Sequence, residues 1–181
     1  MSKFSTHSEP NRKLFESDPL GYSASAWVKF GLAKTMAGFP VDISKPATTE
    51  DLKNPILWLS HAHALAQSAK IIIQNNPDLS VMPNPIRAAC DSQYCAVGLM
   101  LVGYSLEISL KSMIIMKDGI DSFIKSEKKI RHHRLQELAI FVPNLSKKEK
   151  AILRALTHFV YWAGRYPDPG MGNASDLEEI L

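Results

Sequence analysis

Arg154, His158, Tyr161 and Arg165 follow one another at intervals of four, three and four residues. On an α-helix those intervals return to one face. The four side chains are expected to form one narrow outward stripe. Opposite them fall Ile152, Leu153, Leu156, Phe159, Val160 and Ala163, the face such a helix would bury. Arginine offers a planar fork to phosphate, histidine exchanges a proton near neutral pH, and tyrosine can stack on a base. A nuclease that uses RNA's own 2′-hydroxyl needs a proton-transfer group and a cation for the phosphorane charge. His158 would be that acid or base, and Arg154 or Arg165 that cation. The simpler reading of the stripe is a polar solvent face with a tyrosine at a packing rim.

The stripe ends in Arg165-Tyr166-Pro167. Proline disfavours helical geometry in the residue before it, so the helix must stop near Arg165. That leaves a cation at an accessible C-terminus, where cations are favoured. Arg165 can cap the last carbonyls there, or hold an anion.

A second pair carries charge into an apolar segment. Cys95–Lys117 is apolar on every side, as a central helix is. Gly98, Ser105, Ser109 and Ser112 cluster on one stripe, where another helix could approach closely. On a different stripe, with Met100, Tyr104 and Ile114, lie Glu107 and Lys111. Glu four residues before Lys is the favourable order for an ion pair. The pair is read as structural at the bundle's edge, with the alternative that Lys111 reaches an anionic ligand.

Other chemistry is scarce. His132 and His133 are adjacent and point apart, and His61 and His63 face away from each other on one helix, so no metal site is expected. The chain has no glycine-rich phosphate loop, no GxSxG elbow and no carboxylate cluster. No cofactor is expected. Cys90 and Cys95 make no disulfide framework, which fits a reducing compartment. No apolar leader opens the sequence, and the uncharged run at Val97–Leu106 is too short to span a membrane. A soluble, cytoplasmic protein is expected. Net charge is +3, but residues 125–165 hold ten Lys and Arg against three Asp and Glu. That segment is +7 and the rest of the chain −4. Such a basic segment suits an anionic partner such as nucleic acid or a nucleotide, or is simply a solvated helical edge.

The elements that must position these residues are helical, and strand signals are almost absent. The chain is expected to be loosely ordered over 1–18 and helical over Pro19–Ala37, ending near Gly38 and Pro40. Thr48 or Thr49 caps a short turn, and Asn54-Pro55 opens a helix to about Asn75. Asn75–Pro85 is a loop. A long helix or broken pair covers Ile86–Lys117 and is closed by Gly119. Lys125–Arg131 reads as a charged connection and Leu135–Val142 as a short helix stopped by Pro143. Ser146 and Glu149 form a capping box that opens the last main helix, running to Gly164 or Arg165. Asp176–Leu181 could add a turn. The result is an all-α, up-and-down bundle of four or five main helices. Residues 1–85 supply N-terminal helices packed on a core of residues 86–181, in one globular unit.

The order GYSLEISLKSMIIMKDG, then HHRLQELA, then YWAGRYPDP resembles the HEPN family (higher eukaryotes and prokaryotes nucleotide-binding domain) over Ser92 to Pro169. The resemblance implies an up-and-down helical bundle that dimerises. Many members are metal-independent ribonucleases of toxin–antitoxin, phage-defence or RNA-processing systems, and others bind nucleotides or act as non-catalytic partners. By match to the motifs, Glu107 and Lys111 sit in the Leu-Glu-x-x-Leu-Lys helix, His133 is the histidine before the short helix, and Arg165 belongs to the Arg-Tyr-Pro ending. The ribonuclease signature is an arginine, a polar residue and then a histidine on a late helix. Here Arg154-Ala-Leu-Thr-His158 has alanine in the polar position and a shorter gap, so the strict motif is absent. The leading expectation is therefore a non-catalytic module that binds a nucleotide or RNA phosphate through Lys111, His133, Tyr161 and Arg165. The alternatives are a divergent ribonuclease using His158 and Arg154, and a structural homodimer or partner of an antitoxin-type protein.

Overall fold

A computed structural model of the chain describes residues 10–167. Asp176–Leu181 and its expected turn lie outside them. The described residues contain helices and no strand, so the protein is all-α. They fall into two compact units that divide between Leu57 and Trp58, not at residue 85. The division falls near the start of the helix that the sequence opens at Asn54-Pro55.

The first unit holds α1 (Arg12–Ser17), α2 (Pro19–Ala24), α3 (Ala26–Met36) and α4 (Thr49–Leu52). The stretch expected to be loosely ordered thus carries a helical turn, capped by the Asn11 side chain, which accepts from the Lys13 N–H at 3.2 Å. The single helix expected over Pro19–Ala37 is broken at Ser25. Asp18 caps α2 by accepting from the Gly21 N–H, with Pro19 in the first position. Of the two threonines, Thr48 is the cap of α4, in a reciprocal box with Asp51.

In the second unit, α5 (Pro55–Gln74) continues past the division, followed by α6 (Arg87–Asp118), α7 (Ile120–Ile130), α8 (Leu135–Leu138) and α9 (Lys147–His158). α6 is unbroken through all its 32 residues. By length and composition alone it could cross a membrane. The helices and the π-turn that pack along it make it the scaffold of this unit. The small-residue stripe does admit a neighbour. Ser105 Oγ donates to the Ala62 carbonyl of α5 at 2.8 Å, and a Cβ on Gly98 would lie 3.0–3.1 Å from Ile73 and Ile72. This contact packs α5 on α6.

Gly119 ends α6 at φ 81°, a backbone that L side chains rarely adopt, and opens α7. The charged connection expected at Lys125–Arg131 is instead the second half of α7. Ile120, Phe123, Ile124 and Ile130 keep a helical period through it, and Phe123 is buried with its ring edge-to-face on Trp58 at 5.6 Å. α8 is shorter than expected. It sinks Leu135, Leu138 and Ala139 into the core, where Leu110 of α6 meets Leu138 and Ala139. The Leu135 N–H is anchored by Thr157 Oγ1 of α9 at 3.1 Å.

α9 starts at the expected box, in which Ser146 and Glu149 satisfy each other's backbone N–H. It does not continue as an α-helix to Arg165. From Phe159 to Ala163 it widens into a π-turn, and the Gly164 N–H bonds the carbonyl five residues back, on Phe159, at 3.2 Å. Ile152, expected on the buried face, is exposed.

Candidate functional site

Glu107 is the centre of the site. Its side chain is 7% exposed, yet both carboxylate oxygens are used. Lys111 Nζ donates to Oε1 at 2.7 Å from the next turn of α6. His133 Nδ1 donates to Oε2, also at 2.7 Å, from the segment between α7 and α8. The buried core of α8 positions His133, because Leu135 and Leu138 pin the chain two and five residues further on. Adjacent His132 points elsewhere, accepting from the Arg134 N–H on Nδ1 at 3.1 Å and facing Glu137 with Nε2 at 3.6 Å. Burial pushes the His132 imidazole down from its ordinary value of 6.5. Arg134 and Lys111 add to this, against Glu137 and Glu107.

Aromatic rings box His133 in. Tyr104, one turn before Glu107, meets its ring edge-to-face at 5.9 Å, and Tyr161 does so at 5.3 Å. Arg165 reaches the same place. Its Nη2 donates to the Tyr104 hydroxyl, and its guanidinium carbon lies 5.3 Å from the Tyr104 ring centre. Six residues from three separate stretches of chain therefore converge.

The structure brings together Lys111, His133, Tyr161 and Arg165 around Glu107, and it separates Arg154 and His158 from them. The single stripe expected of Arg154, His158, Tyr161 and Arg165 does not form. The π-turn inserts roughly one residue, about 100° of helical phase, between His158 and Arg165. Tyr161 and Arg165 turn to the Glu107 cluster. Arg154 and His158 line a groove of about 630 Å³ with Arg134, Lys150, Ile140, Val142 and Leu145. Two glycines permit the turn. A Cβ on Gly103 would lie 2.4 Å from Val160, and one on Gly164 would lie 2.4 Å from Met100. α9 and the π-turn can approach α6 only because both positions lack a side chain.

Tyr104 was legible only as a member of the Glu107 stripe. Nothing in the spacing joins it to a residue 61 positions later. Arg134 and Lys150 counted in the basic segment but not as groove residues.

The cluster has clear chemical capacities. The Glu107 carboxylate fixes the proton of neutral His133 on Nδ1, which leaves Nε2 as an acceptor. Lys111 neutralises Glu107, so the positive charge of exposed Arg165 is not cancelled by that carboxylate. Arg165 directs only part of its donor fork to Tyr104. A phosphate would find a guanidinium, an imidazole and a phenol hydroxyl here. Among the described residues no group of His, Cys, Asp and Glu could hold a metal ion. Cys90 and Cys95 are both free thiols on α6. No protein-family model, no curated protein and no solved structure matches the chain.

Proposed function

We propose that the protein is a HEPN-like module that binds a nucleotide or RNA phosphate at the Glu107 cluster and works as a homodimer in the cytoplasm. The observation that carries this reading is that Tyr161 packs on His133, which a buried carboxylate paired with Lys111 holds, while exposed Arg165 reaches Tyr104 on the other side of the same imidazole. Arg165 supplies the anion contact, His133 a second donor when protonated, and Tyr161 a ring for a base. Lys111 holds Glu107 and does not reach ligand. The family resemblance adds dimerisation and an antitoxin-type protein as a partner in toxin–antitoxin or phage defence.

Fluorescence anisotropy with a labelled uridine oligomer, across a salt series, tests the reading. Log affinity should fall with log salt, and Arg165→Ala should reduce the slope by about 0.7, the share of one single-strand phosphate contact. Binding that ignores salt, or an Arg165→Ala slope equal to wild type, ends the proposal.

The ribonuclease alternative gains one specific support: a histidine whose tautomer is fixed by a carboxylate is a fit proton-transfer group. That histidine is His133, whereas the sequence points to His158. Cleavage of end-labelled RNA in EDTA separates the two. Loss of cutting in His133→Ala but not His158→Ala supports the cluster, and the reverse supports His158 with Arg154. No cutting by wild type leaves a binding module.

A further inference from the structure

The groove between α8 and α9 shares no residue with the Glu107 cluster, and its chemistry differs. Its floor is aliphatic: Ile140, Val142 and Leu145 line it, and Ile140 is 88% exposed. Its walls hold three cations and one carboxylate. Arg134 and Glu137 pair with each other at 2.7 Å, but Lys150 and Arg154 have no carboxylate partner among the described residues. No Phe, Tyr or Trp lines the groove. Single-stranded nucleic acid is ordinarily held on aromatic platforms, which this groove lacks. A β-branched side chain left almost fully in water beside two unpaired cations fits a ligand that brings both aliphatic groups and negative charge.

We infer that this groove docks an acidic peptide segment of a partner protein, seating leucine or isoleucine side chains on Ile140, Val142 and Leu145 and carboxylates on Lys150 and Arg154. The complementarity is twofold. The apolar floor supplies area burial, and the two cations select acidic over basic segments. Phosphate binding at the cluster and peptide binding in the groove can stand or fall separately.

The test is anisotropy of a fluorescein-labelled Glu–Leu repeat peptide on the full chain, with Lys–Leu and Glu–Ser repeats as controls and a labelled uridine oligomer alongside. The Glu–Leu peptide should bind, and neither control should match it. Lys150→Ala/Arg154→Ala and Ile140→Ser should each weaken it at least about tenfold. All three positions are exposed, so circular dichroism should show an unchanged fold. Equal binding of the Lys–Leu or Glu–Ser peptide, or variants that bind Glu–Leu as wild type does, would overturn the inference. So would a uridine oligomer that loses affinity in Lys150→Ala/Arg154→Ala while the peptide is ignored, because that assigns the groove to nucleic acid.

Discussion

A buried carboxylate paired with a lysine and bonded to an imidazole is costly to disturb, and Glu107 is that carboxylate. Its side chain is 7% exposed and that of Lys111 is 13% exposed, so water screens the pair weakly. Removing one partner of a buried pair leaves an uncompensated charge, at about 3–5 kcal/mol. Glu107→Gln should therefore lower unfolding stability by about 3 kcal/mol, while Glu107→Gln/Lys111→Met should recover most of that loss. Urea unfolding of the two variants checks it. A Glu107→Gln chain as stable as wild type would mean that Lys111 finds solvent without its partner. His132 gives a pH signature at the same scale. Its imidazole is held below 6.5, first by burial, so the fold favours its neutral form. The stability this contributes is present above 6.5 and is lost as pH falls below that value, because the unfolded chain takes up the proton first. The hydrogen bonds of Ser146 to Glu149 hold that carboxyl below 4.5, so its contribution persists above 4.5 and is lost as pH falls through the lowered value. Two successive losses are expected in melting temperature on acidification. The difference between wild type and His132→Gln should flatten the first, and that between wild type and Ser146→Ala should shrink the second. A first step unchanged in His132→Gln would assign it to another group.

Helix packing depends on single side chains that are missing. At Gly103 a methyl group would lie 2.4 Å from Val160 Cγ2 and 3.2 Å from the Leu156 carbonyl oxygen. The backbone oxygen cannot move aside as a side-chain tip can. Gly103→Ala should cost about 1–3 kcal/mol by overpacking. Adding Val160→Ala removes the closer clash and should restore part of it, as calorimetry would read. Additive losses in the double variant would show that the carbonyl, and not Val160, sets the limit. Elements with a strong local signal were legible in the sequence. A cap at Thr48 or Thr49, the cap at Ser146, the stop at Gly119 and a small stripe open to a neighbouring helix follow from nearest-neighbour chemistry. α7 was not, because three lysines among its apolar residues hide a period that only Phe123 and its neighbours keep. The π-turn was not, because the room for it is made against another helix. Gly103 on α6 admits Val160, Gly164 after the turn admits Met100 of α6, and no residue within Phe159–Ala163 announces the extra step. The candidate site was half legible for the same reason. Glu107 and Lys111 share a helix, whereas the approach of Tyr161 and Arg165 to His133 depends on that turn.

The two units differ in how much they bury. Among the described residues through Leu57, only Gly31 is buried, whereas the unit from Trp58 onward buries Phe123, Leu135, Leu138, Leu156 and Val160. Segments this short bury too little apolar surface to be more than marginally stable. The cluster and the groove both draw all their residues from the second unit, as does the whole +7 of residues 125–165. The candidate sites and most of the burial are thus concentrated in the same part of the chain. The natural reporters divide in the same way, with Trp27 in the first unit and Trp58 and Trp162 in the second. Urea unfolding should depart from a single two-state transition. A chain keeping only Trp27, through Trp58→Phe/Trp162→Phe, should lose its native fluorescence at lower urea than a Trp27→Phe chain does. To compensate for the changed tryptophans, each midpoint is compared with circular dichroism of the same variant. In the Trp27-only chain fluorescence should lead the loss of helix, since most helical residues lie in the second unit. In the Trp27→Phe chain fluorescence should coincide with the main loss of helix or follow it. Coincident midpoints in both chains would mean that the thin first unit draws its stability from the second, and that the protein unfolds as one body despite its division at Leu57.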